Sequence, residues 1–197
     1  MALLNVNRWG GSALVAGSLL FILNKFNDMS RVFLNRPIPD LLEGDDIFLI
    51  TLGQVLLVIG LLGCFFAYAR RTNRPGKLGL FLLLSGGIFL ALGHAAFTPL
   101  VKDEWVFVLV IIGGFLMIVG LTLFGAVNLR SHALQYWQPL PLLTGLLGIA
   151  AFFLFIDSMN PFIFLSLRTL FGIGLVLMGV ILWLDTGAFT ARDLQVG

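Results

Sequence analysis

Charge is scarce in this chain. Twelve Lys and Arg and ten Asp and Glu among 197 residues make it 11% charged and 59% hydrophobic, with a mean hydropathy of +1.03. Soluble domains are usually about a quarter charged, so a water-soluble fold is excluded and the solvent for most of the chain is lipid. The one cysteine, Cys64, excludes an intramolecular disulfide and a cysteine-ligated zinc or iron–sulfur centre. A net charge of +2, spread along the chain, gives no footprint for nucleic acid. Proline is absent from the apolar runs: all seven, Pro37, Pro39, Pro75, Pro99, Pro139, Pro141 and Pro161, fall in expected loops or at helix ends. The spans are therefore expected to be unbroken, without the discontinuous helices on which many ion-coupled transporters build their sites.

What is present is a series of apolar runs about twenty residues long without strand-like alternation, which selects helices over a barrel. Bounding them by charges, prolines and aromatic residues predicts an all-α polytopic membrane protein, a single domain over 1–197. Its six transmembrane helices are expected near 9–27, 47–69, 78–98, 105–127, 140–157 and 162–184. The first run mimics a signal peptide, but Asn24-Lys25-Phe26 does not resemble a cleavage site, so it reads as a retained helix. Arg8, Arg70, Arg71, Arg74, Lys77, Arg130 and Arg192 fall on one side, against Lys25, Arg31, Arg36 and Lys102 with the acids Asp40, Glu43, Asp45 and Asp46 on the other. By the positive-inside rule both termini are expected in the cytoplasm. Trp9, Tyr68, Tyr136, Trp137 and Trp183 would form an aromatic belt at that side, with Trp105 at the other. The stretch from Asn24 to Asp46 is read either as an interfacial helix or as a continuation of the first span.

Glycines recur seven residues apart, at Gly10/Gly17, Gly53/Gly60, Gly79/Gly86/Gly93, Gly113/Gly120 and Gly172/Gly179. Seven residues is two turns at 3.5 per turn, so each of these five helices is expected to carry a notched stripe suited to left-handed packing at a small crossing angle. A shift of 60 maps Gly53, Gly60 and Arg70 onto Gly113, Gly120 and Arg130, a trace of internal repetition that low-complexity sequence also produces.

One polar constellation emerges. Counting inward from the expected outer ends puts Gln54, His94 and Arg168 at a similar depth, roughly 12 Å in at 1.5 Å per residue, beside Gly113-Gly114, with Asp157 as a countercharge for Arg168. An ionisable group inside a membrane is costly and points to function when it has a partner. The plainer readings are that Arg168 snorkels and pairs with Asp157, that His94 caps a carbonyl, and that Gln54 bridges helices. His94 also offers a single axial ligand for a pigment or haem, since His132 lies in a cytoplasmic loop and cannot reach the same porphyrin. The segment Arg70-Arg71-Thr72-Asn73-Arg74-Pro75-Gly76-Lys77 has the charge to hold anionic lipid headgroups as well as to set topology.

Other matches carry no chemistry. Asp185-Thr186-Gly187 is the aspartic-protease tripeptide without its second copy or β structure, and Asn160-Pro161 is a fragment of the aquaporin motif. There is no GxSxG or HExxH, so no enzyme is expected. The opening Arg8-Trp9-Gly10-Gly11-Ser12-Ala13-Leu14-Val15-Ala16-Gly17 and the span Leu56-Leu57-Val58-Ile59-Gly60-Leu61-Leu62-Gly63-Cys64-Phe65-Phe66-Ala67-Tyr68-Ala69-Arg70 resemble uncharacterised bacterial six-pass membrane proteins. That resemblance covers about the first hundred residues and implies a six-helix fold and no activity. The expectation is thus a non-catalytic protein of the cytoplasmic (inner) membrane, an accessory or scaffolding subunit of a larger complex or a homo-oligomer. The rival expectations are a solute or ion carrier or sensor with an outward-facing cavity at Gln54, His94, Arg168 and Asp157, and a pigment- or haem-binding subunit.

Overall fold

The computed structural model describes residues 2–34, 47–96, 104–157 and 161–185. They form six helices, α1 (Ala2–Leu34), α2 (Ile47–Tyr68), α3 (Arg74–Ala96), α4 (Glu104–Ser131), α5 (Leu140–Asp157) and α6 (Pro161–Leu184), and no strand among the described residues. Four contain stretches long and apolar enough to cross a membrane, Ile50–Tyr68, Arg74–His94, Val108–Ser131 and Phe162–Leu184, while α5 is apolar but shorter over Leu140–Phe153. The chain is thus compatible with a multi-pass membrane protein. Helix α1 outruns the expected 9–27: it is unbroken for 33 residues, roughly 50 Å, so residues 24–34 follow the reading in which they continue the first helix, and 35–46 lie outside the described residues.

Helix ends follow local chemistry. Pro161 opens α6, and Pro75 and Pro141 sit in the first turns of α3 and α5, where a missing N–H costs nothing. The Asn73 carboxamide accepts from Gly76 N at 3.1 Å, capping α3, so this helix starts four residues before the expected 78. Fully buried Asn128 organises the turn after α4, accepting from Leu134 N at 2.9 Å and donating to Gln138 O at 2.8 Å. The left-handed backbone at His132 and Trp137 (φ 51° and 52°) sharpens this turn.

Each helix packs on its neighbours in sequence, α6 returns to α1, and α2 touches α6 lightly. The six therefore close into a ring. Glycines set the spacing. A Cβ built on Gly86 of α3 would lie 2.6 Å from Gly113 O and 2.5 Å from Met117 N of α4, and one on Gly79 would lie 2.6 Å from Phe124 N. Gly10 and Gly63 abut across α1 and α2, and Gly11 meets Gly179 across α1 and α6. These pairings run in opposite directions along the two helices, so neighbours are antiparallel, and the start of α1 and the end of α6 share one end of the bundle. Gly53 and Gly60 face the preceding helix α1, as Gly113 and Gly120 face α3, whereas Gly172 and Gly179 face α1 rather than α5.

At the end shared by the start of α1 and the end of α6, the ring is solid. Leu14, Leu61, Cys64, Tyr68, Leu83, Leu121, Phe124 and Leu182 are almost wholly buried there. Trp9, Tyr136, Trp137 and Trp183 are exposed around this end, but Tyr68, expected in the same belt, is 1% exposed and points into the bundle.

Gly86 and Gly114 separate contact from propensity. A Cβ on Gly86 collides with α4 backbone, whereas one on Gly114 meets nothing within 4 Å. Gly86→Val is expected to cost about 1–3 kcal/mol through overpacking, and Gly114→Ala to leave stability unchanged or raised. Thermal unfolding in mild detergent checks this, and equal losses in the two variants would refute the role assigned to Gly86.

Candidate functional site

The opposite half of the ring is hollow. A cavity of about 280 Å³ is lined by residues of all six helices, from Phe21 of α1 and Leu57 of α2 to His94 of α3, Gly114 of α4, Phe152 of α5 and Arg168 of α6. Leu57, Leu90, Met117 and Leu175 separate it from the solid half, since each belongs to both the core and the cavity wall. Among the described lining residues all are apolar or glycine except His94 and Arg168.

Arg168 lies seven residues into α6, and its guanidinium carbon stands 5.2 Å from the Phe164 ring centroid and 5.9 Å from that of Phe21. Two phenyl faces thus hold a permanent cation at the cavity wall. Phe164, Arg168, Phe171 and Leu175 follow one another at i+4, i+3 and i+4, so one face of α6 supplies both the charge and much of the apolar wall. The His94 ring contacts Leu90 O through Nδ1 at 2.8 Å. A carbonyl only accepts, so Nδ1 carries the proton and a neutral ring keeps Nε2 as its acceptor.

Of the four residues expected to converge, the structure puts His94 and Arg168 on one cavity, bordered by Gly114. Gln54 is not on its wall: it is 6% exposed, with an Oε1 that is buried and accepts no hydrogen bond. Gln54 nevertheless shares the inward stripe of α2 with Leu57, Leu61, Cys64 and Tyr68, at spacings of three and four residues. Asp157 closes α5, and its side chain, with the expected pairing to Arg168, lies outside the described residues. Gly113 turns to α3 instead of the cavity.

A second polar cluster lies at the solid end. The Tyr68 hydroxyl donates to Asp185 Oδ2 at 2.8 Å, and Arg71 Nη1 stands 3.8 Å from the same oxygen. Asp185 is 1% exposed, and its Oδ1 is buried without a hydrogen-bond partner. Burial raises the Asp185 carboxyl above its ordinary range, against the opposing pull of the Tyr68 hydrogen bond and the Arg71 charge. Asp185, the first residue of the protease-like tripeptide, joins the end of α6 to the end of α2. One signal for this is present in the sequence: a carboxylate at a helix C-terminus opposes the dipole and needs a partner.

Comparison with family models, with curated proteins and with solved structures gives no match for this chain. The candidate site therefore stands on its own geometry.

The Asp185 cluster carries a pH signature. The folded chain binds this proton more tightly than the unfolded chain, so stability falls as pH rises from the ordinary carboxylate value of about 3.9 through the higher folded value. Asp185→Asn is expected to remove that slope while keeping an acceptor for Tyr68, and Asp185→Ala to destabilise by about 1–3 kcal/mol by leaving the Tyr68 hydroxyl unpaired. Unfolding midpoints measured against pH for the two variants check it; parallel profiles for wild type and Asp185→Asn would refute it.

Proposed function

We propose that this chain is a six-pass protein of the cytoplasmic membrane that binds a compact solute in the six-helix cavity, as a carrier or sensor. The observation that carries this reading is the cavity itself: an apolar chamber reached by every helix, with one guanidinium held between phenyl rings on its wall. Ligand sites between the helices of a bundle typically combine such walls with a few convergent polar groups. Arg168 is partly exposed and stands on the wall of this chamber.

The orientation has both chain ends in the cytoplasm and the chamber facing outward. Supporting it, exposed Arg8, Arg70, Arg74, Lys77 and Arg130 and the exposed tryptophans gather at the solid end. Exposed Arg70, Arg74 and Lys77 also suit anionic lipid headgroups, at about 1 kcal/mol each, while Arg71 turns to Asp185. Left-handed glycine packing fits the seven-residue spacing of the paired notches between α3 and α4. The proposed role is non-catalytic: Arg168 keeps its proton and serves as a fixed charge, and His94 beside it serves as a hydrogen-bonding group.

An accessory subunit of a larger membrane complex, or a homo-oligomer, is the second reading. The outer faces carrying Phe66, Phe81, Phe115 and Phe153 suit a partner helix as well as lipid. The solute reading is preferred because the glycine seams, the usual docking faces of membrane helices, are occupied within the chain. A pigment or haem on His94 is less favoured. The Nδ1 contact to Leu90 O orients the ring as an axial ligand needs, but the volume is at the small end of ligand pockets and suits a compact solute better than a tetrapyrrole.

Gly114→Leu tests the reading, because this position borders the cavity and has free space around it. Protein purified from its native membrane in mild detergent is expected to carry a small molecule, detected by mass spectrometry of the extract, that falls at least about tenfold in Gly114→Leu at unchanged folding. That corresponds to roughly 1.4 kcal/mol. Identical extracts from both proteins would refute a cavity ligand, and visible absorption bands in the wild type would move the assignment to the pigment.

A further inference from the structure

Resting on the cavity as a ligand site, we infer that it takes a compact monocarboxylate with an apolar body, an aryl or short acyl acid. Arg168 holds the carboxylate and the phenyl walls hold the body.

The charge comes first. Arg168 is cationic at any physiological pH and carries five N–H donors in a planar fork that matches a carboxylate bidentately. Its cation stands 5.2 Å from the Phe164 ring centroid and 5.9 Å from that of Phe21, and these ring contacts use none of its N–H donors as carboxylate hydrogen bonds would. Five N–H donors can serve more than one acceptor, so interactions of Arg168 within the protein and binding of a ligand are compatible.

The walls then define the rest of the molecule. Apart from His94 and Arg168, the described lining is apolar, with rings at Phe21, Phe152, Phe164 and Phe171. A multiply charged or strongly hydrated anion such as phosphate would lose its hydration there with one cation to replace it. An acid with an aromatic or short aliphatic body keeps its charge on Arg168 and gives its apolar surface to the phenyl rings. At about 280 Å³ the chamber suits one such molecule, at the lower edge of small-ligand pockets. Two-chain lipids are too large. His94, its Nδ1 occupied by Leu90 O, adds one polar group beside the acid.

Titration calorimetry on the purified full chain, with phenylacetate against its neutral isostere phenylacetamide, tests the inference. Phenylacetate is expected to bind at least about tenfold more tightly than the amide, as a charge-assisted hydrogen-bonded pair implies. Arg168→Gln is expected to abolish that preference and Arg168→Lys to retain part of it. Should Arg168→Gln fail to fold, the acid and amide compared on wild type decide alone. Equal affinities for acid and amide overturn the carboxylate assignment and leave the cavity reading standing. The carboxylate assignment also falls, with the cavity reading intact, if phenylacetate does not bind while another compound is retained by wild type and lost in Gly114→Leu. Inorganic phosphate displacing phenylacetate at equal concentration overturns the apolar body.

Discussion

The contact on which the rest of the structure depends is backbone against backbone. In lipid, apolar side chains gain nothing by leaving the solvent for each other, so helices associate through close van der Waals packing. Glycine at Gly10, Gly63, Gly79, Gly86, Gly113 and Gly179 removes the side chain that would hold neighbours apart, and a single Cβ at these places would meet main-chain atoms of the next helix. The pairs α1–α2, α3–α4, α4–α5 (Gly125 against the Leu142 backbone, Gly145 against that of Thr122) and α1–α6 are thereby brought into close antiparallel register, and the remaining seams, α2–α3 and α5–α6, close the ring with side-chain contacts.

Closure of that ring explains why one half is solid and the other hollow. At the end where α1 begins and α6 ends, large side chains such as Phe124, Leu121, Leu61 and Tyr68 fill the interior, and Tyr68 and Asp185 join α2 to α6. Toward the other end α4 carries Gly114 on the cavity wall, where an added Cβ would meet nothing within 4 Å. The polar groups divide the same way. Asp185 is held by a hydroxyl and an arginine in the packed half, whereas Arg168 and His94 border the chamber. A buried carboxylate tied to two partners acts as a fastening, whereas in the open half a cation and an imidazole stand on a wall that is otherwise apolar among the described residues.

Much of this is legible in the sequence, residue by residue. The lengths of the apolar runs locate six helices, because a hydrogen-bonded backbone in lipid leaves few other options. Glycine spacing marks the faces that meet, because a missing side chain is visible without coordinates. Arg168 and His94 stand out by their cost in lipid. Tyr68 misleads because tyrosine near a span end is usually interfacial, while Gln54, on the inward stripe of Leu57, is buried but off the cavity wall. The Phe164–Arg168–Phe171 face is readable from its helical spacing, although Phe21 and Phe152 come from other helices and no local pattern assigns them to it.

Composition alone determined the solvent, the helical class and the notched stripes, since these follow from transfer energies and from the 3.6-residue period, which are properties of a segment by itself. Which stripes pair, that α6 closes on α1, and that the space between them is packed at one end and open at the other were decided by tertiary structure. Those outcomes depend on the summed volumes of side chains from six separate segments meeting at one level. No single segment encodes that sum.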